Sequence, residues 1–62
     1  MILATAKKLE TVARAAGMNA FVVIGDTDHR STDYGVQFES GRFDKLFVSF
    51  DEIAVTDYIG LA

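Results

Sequence analysis

The chain has no cysteine, no proline and a single histidine in its 62 residues. Each absence closes a route. Without cysteine there is no disulfide and no thiolate zinc site, and His29 alone cannot build a histidine-rich one. Without proline there is no stiff linker. A cysteine-free composition also fits a reducing compartment. The apolar start Met1-Ile2-Leu3-Ala4 is too short for a signal peptide, and Lys7 and Lys8 follow it instead of preceding it. No apolar run approaches the roughly 20 residues of a membrane span. The expectation is a cytoplasmic protein, one small domain over residues 1–62, with no cofactor and no membrane partner.

Against these absences stands an abundance of apolar residues, which make up 50% of the chain. A domain of this size buries only about 60% of the surface its unfolded chain exposes. Small scaffolds without a disulfide or metal usually rely on oligomerisation or on unusually good packing. A surface covered by another protein, or by a second copy, is therefore expected.

Net charge is −3 and unevenly spread. Residues 1–20 hold Lys7, Lys8 and Arg14 against Glu10, a balance of +2; residues 21–62 hold Arg30, Arg42 and Lys45 against eight acids, a balance of −5. Overall acidity argues against a nucleic-acid partner, because that affinity comes largely from neutralising phosphates. An acidic half can instead face a basic protein surface, or simply keep a greasy chain soluble.

Residues 3–16 read as a helix. Ile2, Ala6, Leu9, Ala13 and Ala16 recur at spacings of three and four, with Leu3 and Val12 widening the stripe. Glu10 and Arg14 form an i,i+4 pair, and Gly17 suits the left-handed position that ends a helix. Residues 20–24 are continuously apolar and read as a strand, followed by a polar loop over 25–33. Tyr34 to Glu39 alternates as a second strand, and Phe43 to Val48 reads as a third. A strict two-residue turn at Ser40-Gly41 pairs Phe38 with Phe43 and Tyr34 with Phe47; a longer loop or a bulge shifts that register. The last segment favours a helix at 50–59 over a fourth strand. Ser49 and Glu52 have capping-box spacing, and Val48 and Ile53 hold the two positions of a hydrophobic staple.

Chemistry is sought first in the loop after strand one. Val22-Val23-Ile24-Gly25-Asp26-Thr27-Asp28 resembles the strand-then-Asp-x-Asp opening of haloacid dehalogenase-type phosphatases, in which the first Asp is the nucleophile and the second the acid/base. The resemblance covers seven of 62 residues, and that family needs a full doubly wound domain with lysine and magnesium motifs. A polar loop whose aspartates turn on their own backbone accounts for the same residues. As a calcium loop counted from Asp26, the pattern fails at Arg30, Ser31 and Gln37. His29 has no nucleophile motif to join, and Ser31, Ser40 and Ser49 fall at turns without a Gly-x-Ser-x-Gly elbow. Lys7 and Lys8 oppose the helix dipole and read as a solvated face.

The fold class expected is α+β, in the order helix–strand–strand–strand–helix, with a small, mainly antiparallel three-stranded sheet packed on the N-terminal helix. The function expected is non-enzymatic protein binding. A small, acidic, cysteine-free chain resembles, in general character, the inhibitors and adaptors of phages and mobile elements such as anti-CRISPR proteins. That resemblance implies blocking a host protein by occupying its surface. The alternative is a self-associating structural or assembly subunit. Asp26, Asp28, Asp33, Asp44, Asp51, Glu52 and Asp57 are the candidate partner-binding residues, and Phe21, Val23, Phe43 and Phe47 the candidate self-association face.

Overall fold

A computed structural model describes residues 1–27, 31–39 and 46–61. The chain folds as helix α1 (Leu3–Ala15), strands β1 (Asn19–Thr27), β2 (Thr32–Glu39) and β3 (Phe47–Ser49), and helix α2 (Glu52–Gly60). The strands form one antiparallel sheet in the order β1-β2-β3. This is the α+β architecture expected, with α1 against the sheet. Neither helix is long and apolar enough to cross a membrane.

Helix α1 stops where its glycine allows. Gly17 has φ +84°, a conformation that costs an L residue its Cβ clearance. Its N–H donates to the Arg14 carbonyl and that of Met18 to the Ala13 carbonyl, each at 3.0 Å. These are the two bonds of a Schellman motif. The buried stripe of α1 is narrower than its periodicity predicts. Ala6, Leu9 and Ala13 are buried, whereas Ile2, Leu3, Val12 and Ala16 are exposed. Two of the three buried positions are alanine, which lets a helix approach a sheet closely, and the residues flanking the stripe stay exposed.

Residues directly opposite in a sheet share a face. Ala20 opposes Phe38, and Val22 opposes Val36. Phe38 also opposes Phe47. These positions build the core with Ala6, Leu9 and Ala13 of α1 and Val55 of α2, so both helices lie on one side of the sheet. Phe38 is fully buried. Its ring centroid lies 5.9 Å from that of Phe47 and 4.8 Å from that of Tyr58, and Phe47 and Tyr58 stack at 4.2 Å.

Four expectations are corrected. Strands β1 and β2 run on through much of the predicted 25–33 loop, because an antiparallel ladder satisfies backbone groups whatever the side chains. The two-residue turn register does not form: Phe47 pairs with Phe38, not Tyr34, a slide of four residues that leaves Phe47 on the same face. Strand β3 is only three residues long, and its predicted start over 43–45 lies outside the described residues. Finally, the cap of α2 is Asp51, whose carboxylate accepts from the Ile53 N–H at 3.4 Å. Ser49 instead belongs to β3 and accepts from the Asp51 N–H at 3.1 Å. With the cap moved by two, position N3 is Ala54, which cannot reciprocate, and Val48 and Ile53 are both exposed instead of stapled. The helix itself stands as expected. Asp51→Ala is expected to cost about 0.5–2 kcal/mol, the usual loss for an N-cap, with Asp51→Asn close to the parent. Thermal unfolding of the two variants checks it.

Candidate functional site: an open sheet face

With both helices on one side, no described helix or strand covers the other. Alternation places Phe21, Val23 and Gly25 of β1, Gly35 and Gln37 of β2, and Val48 of β3 on this open face, with Phe50 continuing the line of Val48. Phe21 and Val23 are half-buried, Val48 is 41% exposed and Phe50 36%.

The two glycines make room for a ring. A Cβ built on Gly25 would lie 2.5 Å from Phe50 Cε2, and one on Gly35 would lie 2.7 Å from Phe50 Cδ2 and 2.6 Å from the Ser49 carbonyl oxygen. Phe50 therefore rests on bare backbone. Beside it lies a shallow pocket of about 170 Å³ lined by Gly25, Asp26, Asp33 and Phe50.

The chain's own ammonium fastens this corner. The Met1 amino group donates to Asp33 Oδ1 and, at 3.1 Å each, to the Tyr34 and Phe50 carbonyls. The Tyr34 N–H returns a bond to the Met1 carbonyl at 2.9 Å. Met1 thus pairs with Tyr34 two positions beyond the end of β3, and it ties Asp33 to the backbone that carries Phe50.

The free edge of β1 is guarded. Ala20 and Val22 alternate with the residues that bond β2, so their backbone groups point outward. Arg14 Nε donates to the Ala20 carbonyl at 3.0 Å, and the Val22 N–H donates to Glu10 Oε2 at 3.2 Å. The guanidinium then passes over the Phe21 ring, 5.4 Å from its centroid. Glu10 and Arg14, read from sequence as a helix-surface pair and 4.0 Å apart here, do the work of a missing strand.

The candidate residues divide accordingly. Asp26 and Asp33 meet at the pocket, while Asp51 serves as the α2 cap, and Glu52 and Asp57 are exposed on α2. Asp28 and Asp44 lie outside the described residues. The supposed self-association face is split: Phe21 and Val23 point to the open side, Phe47 belongs to the helix side, and Phe43 is outside the described residues. Pairing with either Tyr34 or Phe38 puts Phe47 on the side opposite Phe21 and Val23. Val48, Phe50 and the two glycines were not anticipated as a site. The signal available was one isolated glycine, Gly35, inside the second strand pattern, which marks close approach of another group; Gly25 had read as the start of a loop. Among the described residues no three His, Asp or Glu side chains gather as a metal site.

No protein-family model, curated protein or solved structure matches the chain.

Proposed function

We propose that the chain is a non-enzymatic protein-binding module that lays its open sheet face on a partner. The observation that supports this is an apolar face built from Phe21, Val23, Val48 and Phe50 with both helices on the opposite side. A sheet normally buries a face of this kind, and exposed apolar patches mark interaction sites. Occluding the surface of a host protein is the form of action implied by the chain's resemblance, in general character, to phage and mobile-element inhibitors.

The size of the face favours a partner larger than a second copy. Three strands at ~4.8 Å and about seven residues at ~3.3 Å span on the order of 300 Å². Two such faces together fall short of the ~1,200–2,000 Å² of a stable interface. A larger partner reaches past the rim.

The test is affinity capture with the parent chain and two folded variants, followed by titration of the captured protein. Val48→Lys, on the open face, is expected to weaken binding at least tenfold. Lys7→Glu, on exposed α1, is expected to leave it unchanged. Equal loss in both, or in neither, argues against this face. Concentration-dependent self-association abolished by Val48→Lys would instead favour the assembly-subunit alternative.

A further inference from the structure

We propose that the pocket beside Phe50 receives an arginine side chain of the protein that covers the open face. This rests on the protein-binding reading above and names the chemistry of the partner at one point. The pocket holds about 170 Å³, room for one side chain and less than the ~300–1,000 Å³ typical of small-molecule sites.

Its walls suit a guanidinium in three ways. The Phe50 ring is pressed against the backbone of Gly25 and Gly35, so it cannot sink further and offers its remaining surface outward. A cation over an aromatic ring is attracted by the ring's quadrupole, and the planar guanidinium stacks where an ammonium does not. Asp26 is exposed and bonds to no described residue, and a carboxylate in that position can offer both oxygens to a bidentate pair. Asp33 already gives one oxygen to the Met1 ammonium. Among the described residues, two carboxylates against that one ammonium leave the pocket at −1, which still favours an incoming cation.

The charges elsewhere agree. Among the described residues every Lys and Arg is on α1: Lys7, Lys8 and Arg14. The sheet and α2 carry Asp26, Asp33, Glu39, Asp51, Glu52 and Asp57. Of the α1 cations, Arg14 is committed to the Ala20 carbonyl and lies over Phe21 at the far end of the face. That contact, arginine on phenylalanine with a carboxylate alongside, is the same chemistry realised within the chain. A basic partner surface complements the Asp26 corner, whereas an acidic one would set like charges together.

The experiment is an NMR titration of the full chain at low salt with N-acetyl-arginine amide, and with N-acetyl-citrulline amide as the uncharged isostere. The arginine probe is expected to shift the amides of Gly25, Asp26, Asp33 and Phe50 with millimolar affinity, at least fivefold tighter than citrulline. Asp26→Asn, isosteric and exposed, is expected to abolish the difference, and Phe50→Leu to weaken arginine several-fold. Equal response to citrulline, a response that survives Asp26→Asn, or shifts centred on Glu52 and Asp57 would overturn the assignment. A silent pocket in a chain whose capture is lost by Val48→Lys overturns the arginine site and leaves the face. A responsive pocket in a chain indifferent to Val48→Lys does the reverse.

Discussion

Gly35→Ala is expected to destabilise the fold by about 1–3 kcal/mol, the cost of forcing an extra methyl into a filled space. Its Cβ would come within 2.6 Å of the Ser49 carbonyl oxygen and 2.7 Å of the Phe50 ring. The first neighbour is backbone, so rotating a side chain does not relieve the clash; β3 must move away from β2. Each kcal/mol lowers the melting temperature of a domain this small by ~4–8 °C. The sign is informative, because Gly→Ala at a compatible site stabilises by about 0.4–1 kcal/mol through the unfolded chain. Gly60 supplies the comparison: it ends α2 and a Cβ there meets nothing within 4 Å. Gly60→Ala is expected to raise the melting temperature slightly while Gly35→Ala lowers it. Thermal unfolding of both decides the matter. A Gly35→Ala chain as stable as the parent would mean that β3 and Phe50 do not lie against β2 as described.

The double variant Glu10→Ala, Arg14→Ala is expected to associate through β1. An edge strand with unpaired N–H and C=O groups is a template for another strand, and proteins block such edges with charge or cover. Here the cover is two side chains, one accepting from Val22 and one donating to Ala20. Removing both costs two hydrogen bonds to charged groups, each worth about 1.5–3 kcal/mol when well sheltered and less at this partly exposed edge. It also uncovers the Phe21 ring. Sedimentation should show mass rising with concentration well beyond the parent. Glu10→Gln alone keeps an acceptor for Val22 and should sediment as the parent does. A double variant that is merely less stable, with unchanged mass, would reduce Glu10 and Arg14 to ordinary stabilising contacts.

The helices and the order of elements were legible because their signals are local. Apolar spacing, Gly17 after the last turn and the polar residues Ser49, Asp51 and Glu52 before Ile53 each need only a few neighbouring residues. The extent of the strands was not, since pairing beyond Ile24 depends on a partner strand and not on apolar side chains. The slide of Phe47 onto Phe38 depends on the aromatic packing with Tyr58, eleven residues further on. Charge pointed to the acidic part of the chain; among the described residues only Asp26 and Asp33 come together at the pocket, and Asp51 is occupied as a cap. Glu10 and Arg14 were legible as a pair, but their bonds to β1 require knowing which strand lies beneath α1. The place of Phe50 was written in two glycines whose meaning appears only when Gly25 and Gly35 stand side by side under one ring.

The Met1 ammonium has a practical consequence for anyone handling the protein. Its three acceptors are Asp33, Tyr34 and Phe50, from two separate stretches of chain. An acetyl group on Met1, or an affinity handle fused ahead of it, replaces three donors and a charge with a single amide N–H. The loss falls on the corner that carries the Phe50 ring, so such a change is expected to loosen that corner and lower the melting temperature. A handle fused at the carboxyl end leaves all three acceptors their donor. Where a label is attached therefore decides whether the surface being assayed is the folded one.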